Sequence, residues 1–146
     1  MPQSPSEILL VDDNPADLDL EREVLSKSVR PSHIASVKDG EQALAFLRRQ
    51  GEHRDAPRPD LVVLDLNLPR RDGRQVLAEV KTDPELRTIP IVVFTTSSSR
   101  QDIMRSYELG ANCYVSKPGS LQDFFSAVRS IEQFWFGCAT VPERGN

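Results

Sequence analysis

The chain is poor in the residues that build special frameworks. Its 146 residues include only 2 cysteines, 2 histidines and 1 tryptophan. Cys113 and Cys138 have no second thiol or imidazole at ligand spacing, which argues against a disulfide framework and against a zinc site. Both read as free thiols in a reducing cytoplasm. His33 and His53 lie far in sequence from every acidic cluster, so imidazole chemistry is not indicated. Basic charge is not in excess either. The 18 Lys and Arg against 22 Asp and Glu give a formal net charge of −4, which argues against nucleic acid or an anionic membrane as a direct partner. No apolar run approaches the length of a membrane span, and Met1-Pro2-Gln3-Ser4-Pro5 lacks the basic and apolar character of a secretory leader. The expected location is cytoplasmic. There is no internal repeat and no sign of a second domain.

What is present is a series of short apolar runs ending in polar residues. Leu61-Val62-Val63-Leu64-Asp65 is the central one. Four consecutive apolar residues read as a strand covered on both faces, the habit of a parallel sheet. Ile8-Leu9-Leu10-Val11 precedes Asp12-Asp13. Ile89-Pro90-Ile91-Val92-Val93-Phe94 precedes Thr95-Thr96. Asn112 to Ser116 precedes Lys117-Pro118, and His33 to Val37 forms a weaker run. Helical spacing appears between them. Asn14-Pro15 opens a helix with Leu18, Val24 and Leu25, closing near Val29. Ala43, Leu44 and Leu47 mark a second, Val76, Leu77 and Val80 a third, and a fourth stops at Gly110. Leu121, Phe124, Phe125, Val128, Ile131 and Trp135 mark the last. The segment from Gly51 to Pro59 reads as a loop. Five strands alternating with five helices predict an α/β fold with a doubly wound, flavodoxin-like parallel sheet in strand order 2-1-3-4-5. The expected layout is a flexible N-terminus over 1–6, one domain over 7–136 and a tail over 137–146.

In such a sheet the carboxyl ends of the strands share one edge, where open α/β folds place their chemistry. Asp12, Asp13, Asp65, Thr95 and Lys117 converge there. Each feature alone has a plainer reading. Asp12-Asp13 could serve a helix N-terminus, and Thr95-Thr96-Ser97-Ser98 could be a cap. Their joint occurrence at the ends of the correct strands is harder to dismiss. Crowded carboxylates repel one another, and a divalent cation removes the conflict. Hard oxygen donors favour Mg²⁺ or Mn²⁺, with the turn at Asn67 offering a backbone carbonyl. Metal, ammonium and hydroxyl together suit the equatorial oxygens of a transferring phosphoryl group, with Asp65 as the attacking oxygen.

These residues carry a family pattern. Leu10-Val11-Asp12-Asp13, Leu64-Asp65-Leu66-Asn67-Leu68-Pro69 with Asp72-Gly73, Ile89 to Thr95, and Tyr114-Val115-Ser116-Lys117-Pro118 together resemble the receiver domain of two-component response regulators, over residues 7 to about 132. The resemblance implies that Asp65 is the phosphoacceptor. Asp13 would be the direct Mg²⁺ ligand, Asp12 would act largely through water, and Asn67 would contribute its carbonyl. Thr95 would be the switch hydroxyl and Lys117 the phosphate partner, with Tyr114 the aromatic that fills the space Thr95 vacates. Such a protein is not an enzyme in the ordinary sense, although it assists its own phosphorylation and dephosphorylation. Gly119 departs from the pattern, where an aromatic often follows Lys-Pro. Thr96 is bulkier than the residue often found after the switch threonine.

Arg58-Pro59-Asp60 in the long Gly51–Pro59 insertion, Ser106-Tyr107-Glu108 and Phe134-Trp135-Phe136 point further. They resemble the single-domain regulators that partner phytochrome-type histidine kinases. That implies a light-sensing kinase as phosphodonor and a homodimer, expected through helix four, strand five, helix five and the C-terminal aromatics. Phe124, Ile131 and Trp135 share a stripe that can face the sheet, whereas Phe134 and Phe136 fall off it. Three rival functions fit the residues less well. A phosphatase of the haloacid dehalogenase type needs an acid where Asn67 stands. A flavodoxin-type carrier would suffer repulsion between Asp12-Asp13 and the flavin phosphate. A phosphorylation-independent docking module would have no need of the intact acid set.

Overall fold

Period-two alternation along the strands sorts the core into two layers. The computed structural model describes residues 4–143. Five parallel strands, β1 (Ser6–Val11), β2 (Ser32–Val37), β3 (Leu61–Leu64), β4 (Ile91–Thr95) and β5 (Cys113–Ser116), form one sheet in the order β2-β1-β3-β4-β5. Five helices connect and follow them: α1 (Pro15–Ser26), α2 (Gly40–Arg48), α3 (Gly73–Thr82), α4 (Arg100–Glu108) and α5 (Leu121–Gly137). Leu9, Val11, Val62, Leu64, Ile91 and Val93 project to one face, where they meet Leu44, Leu47, Val76, Leu77 and Val80 of α2 and α3. Ile8, Leu10, Leu61, Val63, Val92 and Phe94 project to the other, against Leu18 and Leu25 of α1 and Phe124, Val128 and Ile131 of α5. The fold class and strand order are those expected from the alternation of apolar runs.

Each helix starts on a side-chain cap, which supplies acceptors to otherwise unpaired N–H groups. Asn14 Oδ1 accepts from Ala16 N and Asp17 N, with Pro15 in the first turn. Asp39 caps α2, Ser99 caps α4 and Ser120 caps α5. Asp72 and Gln75 form a reciprocal capping box on α3. Helix α4 is the least embedded of the five, with Ser106 its only buried residue.

Several boundaries differ from the sequence reading. Helix α1 ends at Ser26, not near Val29, because Lys27 N and Ser28 N turn back to the carbonyls of Val24 and Leu25. Val29 is left 96% exposed. Strand β4 begins at Ile91, after Pro90, since Ile89 N is held in a turn by Leu86 O. The Gly51–Pro59 segment is better ordered than a plain loop. It contains a 3₁₀ turn at Gly51–His53, and Arg58 donates to Glu85 O at 2.6 Å and Thr88 Oγ1 at 3.0 Å. Cys113 is half-buried rather than buried, because β5 is an edge strand. At the N-terminus Ser6 pairs with Ser32 in the sheet. The remainder of the expected flexible end and tail includes 1–3 and 144–146, which lie outside the described residues.

Strand register places the functional edge. Val11 lies opposite Leu64, Leu64 opposite Val93, and Thr95 opposite Ser116. The next residue on each strand therefore leaves the sheet at nearly the same level. Asp12 and Asp65 leave it side by side, and Lys117 follows two residues further along the sheet.

Candidate functional site

Asp65 follows directly on β3, and its two carboxylate oxygens face different partners. Oδ1 accepts the Thr95 hydroxyl at 2.7 Å, with Asn67 N at 3.3 Å. Oδ2 accepts from Lys117 Nζ at 3.1 Å. The same ammonium donates to Asp12 Oδ2 at 2.6 Å and Asp17 Oδ2 at 2.8 Å, so its three protons have three carboxylate acceptors. The Lys117 side chain is only 4% exposed. Its backbone N–H bonds Thr95 O at 2.7 Å, which ties the end of β5 to the end of β4. Its ammonium also lies 5.8 Å from the centroid of the Phe94 ring.

Three carboxylates, Asp12, Asp13 and Asp65, place ligand oxygens within 4.8 Å of one another. Asp12 and Asp65 are buried and Asp13 is exposed, so the cluster opens to solvent on one side. At that separation each like-charge pair repels by roughly 3 to 4 kcal/mol at an effective dielectric constant near 20. One ammonium among Asp12, Asp13, Asp17 and Asp65 leaves the cluster with an excess of negative charge. Burial pushes the Asp12 carboxyl up, against the lowering effects of the Lys117 ammonium and the Asn14 N–H, and Asp65 raises it further. For Lys117, burial works against the charge, but hydrogen bonds to Asp12 and Asp17 outweigh it and leave the pKa raised. A divalent cation fits this donor set, because it adds positive charge where hard oxygens cluster and one side stays open to water.

The sequence-predicted residues are thus brought together. Asp12, Asp13, Asp65, Thr95 and Lys117 meet at one edge, and Asn67 lies in the turn just beyond. Tyr114 stands apart from the acids. Its ring packs against the α2–α3 side of the core, and its hydroxyl donates to Ser97 O at 2.8 Å. Thr95 therefore points to Asp65 while Tyr114 is turned inward.

Two acids of α1 escaped the sequence reading. Asp17 is a full partner of Lys117. Glu21, one turn later, is buried, and its Oε2 is without a hydrogen-bond partner. The signal was in the spacing. Leu18, Glu21 and Leu25 are the buried residues of α1, so an acid stands on the apolar stripe. Burial, with Asp12 next, pushes the Glu21 carboxyl up to about 8.

The model of the response regulator receiver domain family matches residues 8–129. The chain belongs to this family. The receiver domain is 49% identical over 138 residues to response regulator Rcp1 of Synechocystis sp., with 94% of each chain covered. Its structure matches that of the phosphorylated cyanobacterial phytochrome response regulator RcpA with a TM-score of 0.93 at 48% identity, covering 96% of this chain and 100% of the other. It matches the Mn²⁺-bound form of Rcp1 with a TM-score of 0.92 at 49% identity, covering 95% and 100%. The receiver domain is thus related to phytochrome response regulators. Among the described residues no helix is long and apolar enough to cross a membrane.

Glu21 yields a pH test. Its folded pKa, about 8, lies above the ordinary value of 4.5. Between these two values the native state holds a proton that the unfolded chain has lost, so this group's contribution to stability is full below the lower value and declines as pH rises through the window. Glu21→Gln keeps the neutral shape and removes the decline. Urea unfolding should show the variant gaining stability relative to wild type from pH 5 to pH 8.5. A difference independent of pH would show that the Glu21 carboxyl is ionised in the folded protein.

Proposed function

We propose that this receiver domain accepts a phosphoryl group on Asp65 in a reaction that depends on Mg²⁺ or Mn²⁺, and that it signals through protein contact. One observation carries the reading. The Asp65 carboxylate has one oxygen facing Lys117 and the other facing Thr95, beside an acid pair able to hold a cation. In the transfer, an Asp65 oxygen attacks phosphorus, a P–O bond forms and the bond to the donor breaks. When bound, the cation supplies charge neutralisation and orients a phosphoryl oxygen. Asp13 would be the direct ligand, Asp12 would act largely through water, and the Asn67 carbonyl would complete the set. Lys117 passes from the Asp65 oxygen to a phosphoryl oxygen while Asp12 and Asp17 keep it in place. The Thr95 hydroxyl donates to a second oxygen. Water later attacks the acyl phosphate and returns Asp65 and inorganic phosphate.

The readout is a population shift. Thr95 engaged with the acid leaves room for the Tyr114 ring, and the inward Tyr114 hydroxyl bonded to Ser97 O supports this arrangement as the signalling one. The face of α4, β5 and α5 then changes shape. The phytochrome response regulators that this receiver domain is similar to support a phytochrome-type sensor histidine kinase as phosphodonor. The exposed aromatics support a homodimer through α4, β5, α5 and the C-terminal aromatics. Of those aromatics Phe134 is exposed, set edge-on to Trp135 with ring centroids 5.3 Å apart. Phe136, which the helical stripe left outside, packs in part against the domain's own core, as does Trp135. The dimer reading therefore rests on Phe134 with Tyr107 and Met104 of α4, all exposed.

Acetyl phosphate with Mg²⁺ should raise the intact mass by one phosphoryl group, and Asp65→Asn should abolish the gain. Labelling of the variant would move the acceptor elsewhere. Thr96, exposed beside the switch hydroxyl, narrows access of the hydrolytic water. Thr96→Ala should therefore lose its phosphoryl group faster than wild type, read by the decay of the phosphorylated mass. Equal or slower loss would refute this. Sedimentation at tens of micromolar should show a dimer that Phe134→Ser weakens, and a monomeric wild type would count against the interface.

A further inference from the structure

Beyond the acid cluster a chain of polar contacts links the start of α3 to α4 and to the segment after β4. Arg74 stands one residue past Gly73, where a side chain cannot be accommodated. A Cβ at Gly73 would lie 2.2 Å from the Asp65 carbonyl oxygen. Gly73 N also bonds Leu66 O at 2.8 Å. The start of α3 is thereby fixed against the backbone of the phosphoacceptor. From this anchor the Arg74 guanidinium reaches two carboxylates. Nη1 donates to Asp72 at 3.1 and 3.2 Å, and Nη2 donates to Asp102 Oδ1 at 2.7 Å on α4. Asp102 is held on its other oxygen as well, since Ser97 Oγ donates to Oδ2 at 2.6 Å. The Ser97 carbonyl in turn accepts from Tyr114 OH at 2.8 Å and from Ser116 Oγ at 3.2 Å.

We infer that Arg74, Asp102 and Ser97 form a latch that holds the segment after Thr95 in the arrangement in which Thr95 faces Asp65 and Tyr114 faces inward. The inference rests on Asp65 being the phosphoacceptor. Arg74, Asp102 and Ser97 are positioning residues, since none of them touches the phosphoryl site. The geometry supports this role over a purely stabilising one. The two ends of the latch are the two segments whose relative position the switch must change, the one after Asp65 and the one after Thr95. Helix α4, which carries Asp102, has little apolar anchorage of its own, so polar ties weigh more in placing it. The Ser97 side chain bonds Asp102 while its carbonyl bonds Tyr114, so the segment cannot shift without disturbing both. Hydrogen bonds from Ser97 and Arg74 hold the Asp102 carboxyl below the usual range, in keeping with an ionised partner.

The test uses beryllofluoride with Mg²⁺ as the phosphoryl mimic and compares wild type, Arg74→Gln, Asp102→Asn and the double variant. Mutations along a coupled network shift affinity by factors of a few to a few tens. Arg74→Gln should weaken beryllofluoride binding by about fivefold, and Asp102→Asn by a similar factor. The double variant should lose no more than either single one, as expected of residues acting as a unit. The affinity for Mg²⁺ alone should not move, because the acid cluster is untouched. The Tyr114 ring resonances should shift toward an outward population in each variant. Ser97→Ala, which changes no charge, should act in the same direction and guards against misfolding of the charge variants. Wild-type-like beryllofluoride affinity in Arg74→Gln, or additive losses in the double variant, overturns the latch alone. Failure of the wild-type protein to bind beryllofluoride overturns the Asp65 reading and the latch with it.

Discussion

One ammonium among carboxylates organises this protein. Lys117 Nζ holds Asp12, Asp17 and Asp65 at 2.6 to 3.1 Å while almost wholly removed from water. A charge in that position is costly unless every proton is matched, and here each has an acceptor. The acids remain in excess even so. Three carboxylates bond one lysine, and Asp13 adds a fourth to the cluster. The surplus of negative charge is an argument for a divalent cation that rests on electrostatics alone. Lys117 and Thr95 take different oxygens of Asp65, and this orients the group.

The fold exists to make that cluster affordable. Two apolar layers, sorted by the alternation of the strands, hold the sheet rigid to its last residue. The polar residues of the site stand at the last strand residue or just past it. Helix caps keep the connecting segments short and saturated, so the strand-end residues are presented from fixed backbone. Glu21 is the exception on the apolar side. It is buried near the acid cluster with one oxygen unpaired, and burial, with the Asp12 charge next, pushes its carboxyl up to about 8.

Apolar anchorage is least in the segment after β4 and in α4. Thr95 is turned to Asp65, and the Tyr114 ring lies against the core with its hydroxyl on Ser97 O. Polar contacts from Arg74 and Asp102 reach the same Ser97. The elements that position Asp65 and those that present the α4–β5 face are therefore joined by a short path of hydrogen bonds, running beside the apolar core.

The sequence by itself determined the fold class, the strand order and most of the candidate site. Runs of branched apolar residues can only be covered strands, and the polar residues that close them must share one edge of a parallel sheet. Asp12, Asp13, Asp65, Thr95 and Lys117 were legible for that reason. Boundaries were less so, since helix α1 stops at Ser26 through local hydrogen bonds that carry no periodic signal. Only the tertiary structure decided which acids share Lys117 and which residue faces Tyr114. Asp17, Arg74 and Asp102 carry no periodic or motif signal that sets them apart from other helix residues, and Ser97 reads as part of a cap. Their roles come from packing between elements distant in the chain. Spacing along a sequence sets the face a residue lies on but not the partner across from it.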